Sequence, residues 1–255
     1  MSPQPRLAVS FGAAAQDYDR YRMGPPAQSL DWLLPADLGP VLDLGAGTGL
    51  LTRQLAERAA EVVAVEPDAR MREVLARSCP QATVLEGTGE HIPLPDARVD
   101  AVTISAAWHW MDPAVALPEI ARVLRPGGTL CVLYTRRDRR VPWLDELDAF
   151  VHDEMGTDDR IGDLIGRMVG GPWLPEGVPF TAPELHEVTW TAAVSPEQVT
   201  AMFATYSRFI ALPEDRKREL AARIEEKVRA TAEIRDDLVQ LPLVCWSWRS
   251  TRAAS

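Results

Sequence analysis

The sequence predicts an α/β fold: a mostly parallel sheet with helices on both faces. Three observations carry that prediction. Short apolar runs alternate with helix-like stretches through the first half of the chain. Each run is apolar at successive positions, the pattern of a strand buried on both faces. One run, Val41-Leu42-Asp43-Leu44, ends in three glycines at alternate positions, Gly45, Gly47 and Gly49, with a helix-like stretch directly behind them.

Taken in order, strands are expected over 41–44, 62–65, 83–85, 101–105 and 129–134. Helices are expected between them over 50–58, 68–78 and 112–124, and Arg125-Pro126-Gly127-Gly128 reads as a helix stop followed by a turn. Beyond Tyr134 the composition shifts. Residues 136–180 are rich in charge, Pro and Gly, carry a helical piece around 143–154, and read as an insertion covering the site. A strand over 187–194, helices over 196–210 and 213–234, and a last strand over 241–249 follow. A late hairpin of this kind adds antiparallel pairing at one edge of the sheet.

The glycine turn carries the chemistry. Glycine lets a backbone approach a ligand where a Cβ would collide, and the following helix start directs unpaired N–H groups at whatever sits there. The dinucleotide fingerprint is Gly-x-Gly-x-x-Gly; here the third glycine comes one position early. Asp43, just before the turn, would repel a pyrophosphate and suits a ligand carrying a cation. Glu66, at the end of the next apolar run, sits where a carboxylate takes two ribose hydroxyls. A nucleoside with a positively charged tail and no phosphates describes S-adenosylmethionine.

Composition narrows the rest. In 255 residues the hydrophobic fraction of 46% suits a packed core, and the net charge of −10 argues against a general nucleic-acid binder. The cluster Arg136, Arg137, Arg139 and Arg140 reads as a solvated loop, with a local basic groove as the alternative. The three cysteines, Cys79, Cys131 and Cys245, have no metal-ligand spacing, so no metal is expected, and the last two lie in apolar runs as buried thiols. With no secretory-type start and no membrane-length apolar stretch, a soluble cytoplasmic protein without membrane partners is expected.

With these residues in hand, the chain resembles the class I S-adenosylmethionine-dependent methyltransferases. The resemblance rests on Val-Leu-Asp-Leu-Gly-Ala-Gly-Thr-Gly at 41–49 and Val-Ala-Val-Glu-Pro ending at Pro67. It rests also on Gly-Glu-His-Ile-Pro-Leu-Pro-Asp at 89–96 and the Arg-Val-Leu-Arg-Pro-Gly-Gly run ending at Gly128. Ala-Trp-His-Trp at 107–110 and the stretch from Phe11 to Arg22 look like the type 11, bacterial small-molecule branch, which includes enzymes similar to trans-aconitate methyltransferases. The resemblance implies a Rossmann-like, seven-stranded sheet whose last strand is antiparallel, with a small helical cap. It implies a single domain over 1–255: N-terminal lid helices (1–35), a cofactor core (36–135), a cap insertion (136–185) and C-terminal elements (186–255) that complete the fold and the acceptor pocket.

By the same resemblance, Asp43, Gly45, Ala46, Gly47 and Gly49 line the methionine part and ribose, and Glu66 takes the ribose hydroxyls. Pro67 and Met71 pack near the adenine, and Thr88, Gly89 and Glu90 face its edge. Many relatives have Asp where Thr88 stands, so the Gly89 backbone N–H takes over part of that reading. Ser105 and Ala106 run beside the methionine moiety, and Tyr18, Tyr21 and Arg22 belong to the lid, with Tyr18 or Arg22 near the carboxylate. His109 lies between Trp108 and Trp110 just after the fourth strand, where ligands gather in open α/β sheets. It reads as a general base or a substrate orienter, with the tryptophans shaping an apolar pocket. Tyr206 and Arg208, among the polar groups at 205–208, add acceptor contacts, and Arg208 suits an acidic substrate.

The leading expectation is methyl transfer to a small-molecule acceptor at oxygen, nitrogen or carbon, by a monomer or homodimer. An RNA or protein methyltransferase is disfavoured by the acidic balance and the missing Asn-Pro-Pro-Tyr motif, and a nicotinamide oxidoreductase by the glycine spacing and Asp43. A non-catalytic cofactor-binding module is the remaining alternative.

Overall fold

The computed structural model describes residues 15–170 and 173–253. Two helices, α1 (Ala15–Tyr21) and α2 (Ala27–Leu33), precede the first strand. Then β1 (Pro40–Leu44), α3 (Leu50–Ala56), β2 (Glu61–Val65), α4 (Ala69–Ser78) and β3 (Thr83–Leu85) alternate. They continue into β4 (Val99–Ser105), a 3₁₀ turn over Trp108–Trp110, α5 (Pro113–Val123) and β5 (Leu124–Arg137). The second half holds α6 (Pro142–Glu154), α7 (Arg160–Gly170), β6 (Glu184–Val194), α8 (Pro196–Ala204), α9 (Ser207–Ile210), α10 (Glu214–Thr231), β7 (Ile234–Arg235) and β8 (Leu238–Thr251).

These elements build one sheet in the order β3-β2-β1-β4-β5-β8-β6, with the two-residue β7 added beside β8. The first five strands pair in parallel. β8 runs antiparallel to both β5 and β6, inserted between them, so β6 is the edge strand. Seven principal strands with an antiparallel last strand are therefore present.

Side chains alternate along each strand between two apolar layers. Val41, Val62, Ala101 and Cys131 face a layer with Leu30 and Leu33 of α2 and Leu51 and Leu55 of α3. Leu42, Val63, Val102 and Val132 face the opposite layer, with Leu117 and Ile120 of α5 and Ile165 and Met168 of α7. That both faces are covered explains why the strands read as unbroken apolar runs. A third cluster joins Leu144, Leu147 and Val151 of α6 to Val199 and Phe203 of α8, Leu220, Ile224 and Val228 of α10, and one end of β8. Tyr21 and Met23 pack against this cluster.

Helix starts follow local chemistry. The Asp68 carboxylate accepts the N–H groups of Arg70 and Met71 at the start of α4. Asp112 caps α5, which opens on Pro113, and Ser195 and Gln198 form a reciprocal capping box on α8.

Three sequence expectations need correction. The helix expected over 196–210 breaks in two: the buried Thr205 hydroxyl donates to the Met202 carbonyl at 2.6 Å, competing with the backbone ladder. Arg125–Gly128 does not form a turn ahead of the strand. β5 begins at Leu124, and these four residues bulge from it between the pairs Val99–Leu124 and Ala101–Thr129. Hydrogen bonds between Gly127, Gly128 and Arg252 hold the bulge. Third, the arginine cluster at 136–140 is not a solvated loop. Arg137 is only 8% exposed, and Arg136, Arg137, Arg139 and Arg140 pair with Asp159, Asp148, Asp145 and Asp138 respectively.

All three cysteines are buried thiols. Among the described residues no helix is long and apolar enough to cross a membrane, and no group of three or more His, Cys, Asp or Glu is placed to hold a metal.

Candidate functional site

The carboxyl ends of the parallel strands β1, β2 and β4 place Asp43, the glycine turn, Glu66, Ser105 and Ala106 on one rim of the sheet. The glycine turn leaves β1 with Gly45 at φ +71°, Gly47 at +58° and Gly49 at +91°, all in the left-handed region. Gly45 is required twice over, since a Cβ there would lie 2.6 Å from the Ala107 Cβ. A Cβ on Gly47 would meet nothing within 4 Å and would project into open space. The N–H groups of Gly45 and Ala46 both donate to the Val65 carbonyl, lashing the turn to the end of β2.

Glu66 braces the same turn. Its Oε2 accepts the Gly47 N–H and its Oε1 the Asp68 N–H, each at 2.9 Å. Burial, to 6% exposure, pushes its carboxyl above the usual range against the pull of those two donors. A carboxylate offers about four acceptor positions, so two remain for hydroxyl donors.

Asp43 lies deeper, at 1% exposure. Strand alternation points it to the α3 side, where the Thr52 hydroxyl donates to Oδ2 at 2.6 Å. Burial raises its carboxyl to about 7; hydrogen bonding from Thr52 opposes the shift, and the nearby Glu66 charge adds to it.

On the next rim segment Met71 is buried and Pro67 exposed. Thr88 and His91 form an isolated bridge, and Gly89 is pressed against Met111, whose Sδ would lie 2.6 Å from an added Cβ. The Glu90 carboxylate is engaged by the Asp112 N–H at 2.8 Å, at the start of α5.

β4 ends at Ser105, and Ala106 takes φ +53°. That conformation costs a non-glycine residue about 1–2 kcal/mol, and it turns the chain sharply into the Trp108–Trp110 segment. Trp108 is buried, edge-on to Trp173 at 5.2 Å. His109 is half-buried, 4.6 Å from the Trp110 ring, with Nδ1 3.2 Å from the Tyr134 hydroxyl. Burial, with the Arg136 and Arg22 charges, lowers His109 to about 4, so the ring is neutral near pH 7.

α1 packs beside this rim. Asp19 pairs with Arg53 of α3 at 2.9 Å, and α1 packs on α4 and α8. Arg22 donates to the Thr205 hydroxyl at 2.9 Å and lies over the rings of Tyr18 and Tyr206, at 5.1 and 4.9 Å. It has no carboxylate partner among the described residues. Beside it, Arg137 holds Asp148, donates to the Tyr206 hydroxyl at 2.7 Å and stacks 3.9 Å over Phe203.

Comparison with known proteins identifies the family. The methyltransferase domain profile matches residues 42–132, from β1 to β5. A curated Mycobacterium tuberculosis protein, described as an uncharacterised methyltransferase, is 44% identical over 85% of this chain and 87% of its own length. The chain belongs to the class I S-adenosylmethionine-dependent methyltransferases. A provisionally assigned type II methyltransferase from Anaeromyxobacter dehalogenans superposes with a TM-score of 0.66 at 25% identity, over 91% of this chain and 98% of that one. A geranyl diphosphate methyltransferase, solved with geranyl diphosphate and sinefungin, shares the fold at TM-score 0.51 and 15% identity, over 98% and 99%.

Methyltransferases of this fold use S-adenosylmethionine, and the rim fits it: open space over Gly47, spare acceptor positions on Glu66, and a buried carboxylate at Asp43. The structure brings Asp43, Gly45, Ala46, Gly47, Gly49, Glu66 and Met71 together around the turn, and Tyr18, Arg22, His109 and Tyr206 around the α1 side. Tyr21, like Tyr206, packs against the helical cluster, Trp110 lies between the His109 ring and the core, and Arg208 is exposed on α9. Phe11 and the side chain of Ser207 lie outside the described residues. Thr52, Tyr134 and the Arg137–Asp148 pair were missed from sequence: Thr52 reaches back to Asp43 from the helix after the turn, and Tyr134 and Arg137 act on His109 and Tyr206 far along the chain, where no local motif signals them.

Proposed function

We propose that this methyltransferase transfers a methyl group to a small-molecule acceptor held between His109 and the helices of the second half. The observation that carries the reading is the pair of buried carboxylates, Asp43 and Glu66, flanking an open glycine turn. That arrangement suits a cationic nucleoside, with Glu66 on the ribose hydroxyls and Asp43 toward the ammonium. When bound, S-adenosylmethionine supplies a methyl group on a positively charged sulfur, so catalysis rests mainly on alignment. Arg22, lacking a carboxylate partner among the described residues, suits the methionine carboxylate, with residues 1–35 as the lid that brings it there. Residues 136–185 then act as the cap over the acceptor.

His109 acts as an orienting group. With its pKa at about 4, taking up a proton at pH 7 costs about 4 kcal/mol, which makes it a poor base. Its neutrality avoids repelling a sulfonium. The net charge of −10 and the pairing of the arginine cluster with aspartates support a small acceptor over a nucleic acid.

Calorimetry with S-adenosylhomocysteine tests the cofactor assignment. Glu66→Ala is expected to weaken binding at least tenfold, since hydrogen bonds to a charged group contribute about 1.5–3 kcal/mol each. Unchanged affinity would remove Glu66 from the ribose, and a preference for NAD would overturn the whole reading.

A further inference from the structure

We infer that Tyr134 is a positioning residue: it fixes His109 in the tautomer that carries its proton on Nε2 and presents that N–H to the acceptor. The inference rests on the reading of His109 as acceptor-facing, and hydrogen-bond bookkeeping carries it. The Tyr134 hydroxyl lies 3.2 Å from the backbone N of His109 and 3.2 Å from its Nδ1. The backbone N–H can only donate, so the hydroxyl oxygen accepts there. The hydroxyl has one proton of its own, and the side chain, 1% exposed, is sealed from water. Burial pushes the phenol up, so that proton stays on. Among the described residues, Nδ1 is the remaining acceptor within reach.

The opposite tautomer would aim an Nδ1–H at the same oxygen. That oxygen would then accept twice while its own proton had no partner. A buried polar group left unpaired shifts such an equilibrium by roughly ten- to a hundredfold. The Nδ1 lone pair therefore faces Tyr134, and Nε2 bears the hydrogen. Nε2 takes no partner among the described residues and is not one of the sealed, partnerless side-chain atoms. It is left for the acceptor that the proposed function places beside His109.

Both partners are held in place. Tyr134 sits mid-strand in β5 opposite Trp246 of β8 and packs edge-on to Trp248 at 6.5 Å. His109 is tied to Tyr134 through backbone and ring together. The consequence is chemical: toward an acceptor at Nε2, His109 offers a donor and no lone pair. It orients an acceptor by bonding to an oxygen or nitrogen lone pair, and the methylated atom must arrive already able to attack.

The test is a long-range proton–nitrogen NMR correlation on the full chain labelled with ¹⁵N-histidine, alone and saturated with S-adenosylhomocysteine. With four histidines in the chain, His109→Gln assigns the signal by its loss. Near pH 7 the wild type is expected to show one His109 tautomer, protonated at Nε2. Tyr134→Phe keeps the ring packing and removes the hydroxyl. It is expected to convert His109 to an exchange-averaged mixture, with at least a severalfold rise in the Nδ1–H form, while the other three histidines are unchanged. An Nδ1–H wild type, or a Tyr134→Phe protein that keeps pure Nε2–H, overturns the inference. Calorimetry on the same samples separates a different failure: a wild type that binds no S-adenosylhomocysteine overturns the functional reading beneath it.

Discussion

Replacing Asp43 by Asn is expected to stabilise the protein without cofactor at high pH and to weaken the cofactor site. Burial holds the Asp43 carboxyl at about 7 in the fold, against its ordinary 3.8. Between those values the folded state holds a proton that the unfolded chain has released, so stability falls as pH rises through that window. About three pH units at 1.36 kcal/mol each give a penalty of about 4 kcal/mol, complete above about pH 7. Near pH 6 about 3 kcal/mol of it has already appeared. Asn keeps the shape and the Thr52 hydrogen bond but cannot ionise. The stability gain of Asp43→Asn over wild type, from urea denaturation, should therefore be larger by about 1.4 kcal/mol at pH 8 than at pH 6. Calorimetry in buffers of different ionisation heat should show S-adenosylhomocysteine binding release a proton near pH 6 in wild type and not in the variant. A variant less stable than wild type by the same amount at both pH values would refute the reasoning. Under the proposed cofactor assignment, a cationic ligand would offset the cost of this buried carboxylate.

The remaining predictions separate strain, pairing and recognition. Gly45→Ala combines a left-handed φ with a 2.6 Å contact to Ala107, and should cost about 2–5 kcal/mol in urea denaturation. Gly47→Ala, with open space at its Cβ, should cost only about 1–2 kcal/mol yet weaken S-adenosylhomocysteine binding; the reverse stability order would refute the assignment. Asp148→Ala strands the buried Arg137 and should lower stability by about 3–5 kcal/mol, with much of the loss recovered by adding Arg137→Met. Arg22→Gln should weaken S-adenosylhomocysteine about tenfold and leave 5′-methylthioadenosine, which lacks the carboxylate, unchanged, because a charge-assisted bond is worth about 1.5–3 kcal/mol. Equal losses for both ligands would move Arg22 away from the carboxylate.

The legible parts of this protein are those whose physics is local. The glycines at 45, 47 and 49 announce a positive-φ turn because few other residues adopt one, and all three take it. Continuous apolar runs announce strands covered on both faces. That Glu66 and Asp43 stand beside the turn was legible because each lies at a strand end at a set distance from it. The break at Thr205 and the bulge at Arg125–Gly128 were not. The first follows from a hydroxyl turned back on its own helix, and the second from the last strand meeting β5 more than 120 residues later. The arginines at 136–140 look alike in sequence. Only packing separates Arg137, buried on Asp148, from Arg140, exposed beside Asp138. His109 shows the division most clearly. Its place after the fourth strand came from sequence alone. Where its proton sits was decided by Tyr134, 25 residues away, because a buried hydroxyl has one proton to give and the tertiary structure leaves one atom to receive it.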